Sequence, residues 1–168
     1  MVQSPQLRYS ASLRWTHWLT VALVAMAYFT SESGEAGGGQ WHVFSGLALL
    51  LLFVPHVLAH RAARHALAQS SGWQAWSARL VHLALLLFVV VQPLLGVLTV
   101  WAEGDALAVP FTPWAIAPLV TPGEAWGEAL EDLHETVGNV FYAVIAVHAL
   151  AALWHQFVVR DGTLRRMW

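Results

Sequence analysis

The chain has no cysteine and no lysine. Without cysteine there is no disulfide, no thiolate-held iron–sulfur cluster and no thioether attachment of haem. Charge is scarce too: 11% of the residues are charged and 58% are apolar, where soluble domains carry about 25% charged residues. Too few polar side chains remain to cover a surface facing water. The 168 residues therefore read as a single membrane domain, 1–168. A glycine-rich nucleotide loop, a nucleophile motif and a basic patch for nucleic acid are also missing.

What is there is long apolar runs, nine histidines and ten tryptophans. A bilayer core needs about 20 apolar helical residues, and four segments qualify: 13–30, 41–60, 79–101 and 134–158. The expected fold is all-α, an integral membrane four-helix bundle. Pro55 and Pro93 fall inside spans, where they kink helices that membrane surroundings tolerate. GEAGGG makes a flexible turn, loop 61–78 is basic, and loop 102–133 is acidic and proline-rich. In that loop TPGE offers Thr121 as N-cap, Pro122 at the first helical position and Glu124 at the third. The acids that follow suit a helix start, so the fourth helix begins outside the membrane or is led in by a short surface helix.

Charge sets the orientation. Arg8, Arg14, Arg61, Arg64, Arg79, Arg160, Arg165 and Arg166 all fall on one side of a four-span chain. Nine acids fall on the other: Glu32, Glu35, Glu103, Asp105, Glu124, Glu128, Glu131, Asp132 and Glu135. Asp161 alone joins the arginines. The positive-inside rule places both termini in the cytoplasm, and Trp15, Trp18, Trp41, Trp101 and Trp154 lie near span ends as an aromatic belt. A cleaved signal peptide would use Ala25-Met26-Ala27 as its cleavage site. The apolar run before it is short and contains Thr16-His17, which favours a retained span.

Imidazoles in a span are costly and point to function. His134 and His148 are fourteen residues apart, about 21 Å along a helix and about 40° around it. They share one face at two depths. His42 opens the second span at the outer level and can meet His134. His17 enters the first span from the inside and approaches the level of His148. His56 is also fourteen residues from His42 and competes with His17 for the inner position. Two axial imidazoles are what a low-spin b-type haem needs, and facing helices of a bundle are a usual place for it. Gly46 and Gly138 each follow a histidine by four residues, where a missing Cβ leaves room for a flat ligand. Ala152 is small at that offset from His148, whereas Val21 after His17 breaks the pattern. Small residues at this spacing also serve bare helix packing. His60 and His65 read as interfacial or loop residues. His82, His155 and His56 are candidates for a quinone or a haem propionate, or are plain interfacial histidines.

RYSASLRWTHWLTVAL, WHVFSG, HLALLLFVVVQPLLG, LHETVGNVFYAVIAVHALAALWH and RDGTLRRM together resemble the bacterial cytochrome b561 family, in order and over essentially the whole chain. The resemblance implies a four-helix protein of the bacterial inner membrane with two non-covalent haem b groups, each held by two histidines. It implies His17 and His148 as axial ligands of the inner haem iron, and His42 and His134 of the outer. It also implies electron transfer to or from the quinone pool in a respiratory chain, with superoxide oxidation by ubiquinone as one known activity. This chain departs from the family in having His56 and His60 where arginines are usual, near the inner end of the second helix.

The expected function is thus a membrane haem relay between a periplasmic-side donor or acceptor and quinone. Superoxide is an anion, and nine acids without a basic residue on the outer side disfavour its approach. A cationic periplasmic redox protein suits that face better. Two other classes remain: a haem-holding membrane anchor of a larger oxidoreductase, and a histidine-based metal transporter.

Overall fold

The computed structural model describes residues 8–31, 39–63 and 72–168. Four helices account for most of them: α1 (Ala11–Ser31), α2 (Gly39–Ala63), α3 (Trp73–Ala102) and α4 (Glu124–Trp154). A π-helical turn, His155–Val159, continues α4, and a 3-10 turn, Leu164–Met167, closes the chain. α1 packs on α2, α3 on α4, and α2 on α3.

By length and apolar composition three helical segments can cross a membrane: Gly39–Ala62, Trp73–Ala102 and Ala125–Val159. α1 has 21 residues, enough for a bilayer, but Arg14, Thr16, His17 and Thr20 dilute its first half. The surface fits an apolar solvent. Large side chains such as Phe29, Leu51 and Leu150 are exposed, while among the described residues few side chains are buried: Leu13, Leu23, Ser45, Leu49, Ala59, Ala75, Phe88, Ala102 and Leu107.

The helices overrun the expected spans. α2 continues to Ala63 and α3 starts at Trp73, so Arg79 lies inside a helix rather than at its start. Pro55 and Pro93 are each inside an uninterrupted helix. α4 is one helix of 31 residues from Glu124, which disposes of a separate surface helix. Its N-cap is Gly123, without a side-chain cap bond, not Thr121, and Pro122 lies outside the helix. Backbone contact replaces the cap. The Gly123 N–H donates to the Ala102 carbonyl at 2.9 Å, tying the start of α4 to the end of α3.

The connection between α3 and α4 also holds a two-residue antiparallel ladder, β1 (Leu107–Ala108) with β2 (Ala115–Ile116). Phe111, at its tip with φ 62°, packs against Trp41 and Phe44 with ring centroids 4.7 and 5.8 Å away. Most of the GEAGGG turn, with Glu32, Glu35, Arg64 and His65, lies outside the described residues.

Candidate functional site

His42 stands near the start of α2 and His134 is in the third turn of α4. Their ring centroids are 6.1 Å apart. His42 Nδ1 is 2.9 Å from the Ala27 carbonyl of α1, so it is the nitrogen carrying hydrogen, and Nε2 keeps its lone pair. Holding one imidazole nitrogen in this way is how proteins orient a ligating histidine. The neighbouring Ser45, fully buried, donates its hydroxyl to the His42 carbonyl at 2.7 Å.

On α4 the Gln92 amide donates to the His134 carbonyl at 2.7 Å. The His134 ring itself lies against Gly96 of α3. A Cβ on Gly96 would come within 3.1 Å of His134 Cε1, so the absence of a side chain makes room for the ring. His134 Nδ1 is buried without a hydrogen-bond partner. Beside the pair lies a cavity of about 300 Å³ lined by His42, His134, Gly46, Gly138, Tyr28 and Gln92 among others.

Gly46 and Gly138 thus border the cavity as expected. At Gly138 the clearance also serves helix packing, since a Cβ there would lie 3.3 Å from Gln92 Nε2 of α3. At Gly46 a Cβ would meet Pro93 Cβ at an ordinary 3.6 Å.

At the other level His17 of α1 and His148 of α4 have ring centroids 6.5 Å apart. His17 Nδ1 is buried without a partner. His82 of α3 is also beside His148, at 5.2 Å and edge-on, and His60 lies 6.5 Å beyond His82. His82 Nδ1 is bonded to the Ala78 carbonyl at 2.7 Å. His56, the competitor for the inner position, has Nδ1 3.5 Å from the Thr20 hydroxyl, and no ring contact brings it to His148. His155 is engaged elsewhere: Nδ1 is 2.6 Å from Asp161 Oδ2.

Between the two levels four rings form a layer. Tyr142 packs on Tyr28 at 4.2 Å, Tyr28 lies 6.5 Å from Phe88, and Phe88 stacks on Phe141 at 4.2 Å. The Tyr28 hydroxyl donates to the Gly138 carbonyl at 2.7 Å.

The geometry fits two haem irons. Iron held about 2 Å from a nitrogen of each of two facing imidazoles, the usual metal–imidazole distance, puts their centroids about 6 Å apart. Both His42–His134 and His17–His148 meet this. Among the described residues no three His, Asp or Glu side chains converge as a bare-metal site.

Gly96, Gln92, Ser45 and Tyr28 are the residues that sequence reading passed over. A glycine within an otherwise bulky span was the available signal for Gly96; Gln92 and Tyr28 act across helices and leave none, whereas Ser45 bonds back within its own helix to the His42 carbonyl.

The sequence profile of the prokaryotic cytochrome b561 family matches residues 8–168. Cytochrome b561 homolog 1 of Escherichia coli (strain K12) is 30% identical over 95% of this chain and 96% of its own length. The probable superoxide oxidase CybB of Yersinia pestis is 26% identical over 95% of each chain. Cytochrome b562 of Cereibacter sphaeroides is 29% identical over 90% of this chain and 89% of its own.

Proposed function

Since the chain belongs to the prokaryotic cytochrome b561 family, we propose that it is a di-haem b electron carrier working between an outer-side redox partner and the membrane quinone pool. One observation carries this: two histidine pairs, one at each depth, with ring centroids 6.1 and 6.5 Å apart. His42 and His134 hold the outer haem iron, and His17 and His148 hold the inner. His82 is the nearer ring to His148, but 5.2 Å is short for an iron between two rings, which favours His17. A haem held by each histidine pair would supply a one-electron carrier.

The protein's own residues hold, orient and dry the two sites. Ala27 and Ser45 fix His42, Gln92 and Gly96 fix His134, and the Tyr142–Tyr28–Phe88–Phe141 layer keeps an apolar medium between them. The arginines at one end and the acids at the other support an orientation with both termini cytoplasmic, in the bacterial inner membrane. Quinone is then met at the inner level, with His82 and His56 as candidates to bond it. His155 is less available, because Asp161 occupies its Nδ1.

On the outer side Glu103, Asp105, Glu128, Glu131, Asp132 and Glu135 are exposed, and no arginine or lysine lies between Arg79 and Arg160. Such a face attracts cations and repels anions. A cationic redox protein is therefore the favoured outer partner over superoxide, the substrate named for the Yersinia relative. Stopped-flow oxidation and reduction with superoxide, a cationic cytochrome and a ubiquinone analogue tests this. Fast reaction with superoxide and none with the cytochrome reverses the preference.

A further inference from the structure

The last residues of the chain fold back onto the start of α1. Arg160 and Gly162 adopt positive φ, 58° and 73°, and reverse the chain after the π-helical turn. Asp161 fixes the reversal. Its Oδ1 accepts the Thr163 amide at 2.9 Å and the Thr163 hydroxyl at 2.6 Å, while Oδ2 takes the His155 ring at 2.6 Å.

The returning segment then meets α1 and the residue Tyr9 just before it through four contacts. The Tyr9 N–H donates to the Arg166 carbonyl at 3.0 Å. The Trp18 indole N–H donates to the Met167 carbonyl at 2.8 Å. Trp168 packs on Trp18 with ring centroids 5.1 Å apart, and the Arg14 guanidinium bonds the Trp168 main-chain oxygen. Trp18 in turn sets its ring edge-on to His17 at 5.2 Å.

His17 needs such support. Its Nδ1 has no hydrogen-bond partner, so nothing orients its ring as the Ala27 carbonyl orients that of His42. α1 is also the least apolar of the helices and has Arg14 and Thr16 beside the site. We propose that segment 161–168 is a clasp that positions His17 for the inner haem, acting through Trp18. Trp18, Trp168 and Asp161 are its positioning residues. The outer pair, at the far end of the bundle, has its own supports and is independent of the clasp.

This inference rests on His17 and His148 being the inner pair. The test is a redox titration with low-temperature electron paramagnetic resonance on full-length protein in detergent, with His42→Ala identifying the inner signal. Trp18→Phe keeps an apolar ring but loses the N–H donor, and Trp168→Ala removes the ring packed on Trp18 without altering α1. Both variants are expected to shift the inner haem's signal and midpoint potential and lower its share of bound haem, with the outer signal unmoved. Unchanged inner signals in both, or equal disturbance of both haems, overturn the clasp. A His17→Ala protein that keeps two haems overturns instead the assignment of the inner pair.

Discussion

His42 and His134 face each other at the acidic end of the helices with ring centroids 6.1 Å apart, while the Ala27 carbonyl takes the hydrogen on His42 Nδ1. The second bond leaves the other nitrogen's lone pair for a metal. It also makes the outer site the better organised of the two, since His17 has no equivalent support.

Replacing either outer histidine should therefore remove one haem and spare the other. His42→Ala and His134→Ala are each expected to halve the haem bound per chain, with the remaining haem still low-spin. Pyridine haemochrome assay against protein concentration measures this. Loss of both haems together would mean that the two sites are not separate.

Gly96→Ala puts a Cβ 3.1 Å from His134 Cε1. Such overpacking costs about 1–3 kcal/mol and should appear as weakened outer haem retention on thermal challenge. Gly39→Ala is the control, because a Cβ there meets nothing within 4 Å. Equal behaviour of the two variants would contradict the role given to Gly96.

The tail should be acid-sensitive. Burial pushes the Asp161 carboxyl up, but the bonds from Thr163 and His155 outweigh it and hold the group below its ordinary value of 3.8. A depressed carboxylate contributes stability that is full above that ordinary value and is lost as pH falls through the folded one. The group is partly exposed, so the contribution is modest. Hydrogen exchange of the 161–168 amides, corrected for intrinsic rate, should accelerate on acidification below pH 4. Asp161→Ala should show the same fast exchange at neutral pH.

The acidic outer face predicts opposite salt responses. Electron exchange with a cationic cytochrome should slow as ionic strength rises, and reaction with superoxide should quicken as repulsion is screened. A rate with the cytochrome that ignores ionic strength would remove the support for a cationic partner.

Much of this was legible in the sequence because helical periodicity is rigid. The fourteen-residue offset from His134 to His148 fixes both depth and face, and the structure brings each to within a ring's reach of the expected partner. Family resemblance was needed to favour His17 over His56, and the structure adds a further contender in His82. Helix ends were less legible. Thr121 looked like a cap, but the start of α4 is held by the Gly123 backbone on Ala102, a contact between segments that no local motif encodes. Gly96, Gln92 and the return of Trp168 onto Trp18 were illegible for the same reason: each depends on which helices become neighbours. The glycines after His42 and His134 were noticed for a flat ligand, yet the second, Gly138, also admits Gln92 of α3.

The most direct test is haem stoichiometry in purified protein, with a reduced-minus-oxidised spectrum recorded on the same sample. Two low-spin b-type haems per chain are expected from two pairs of axial histidines. A chain that binds no haem, or that binds metal without porphyrin absorbance, would contradict the reading of both pairs.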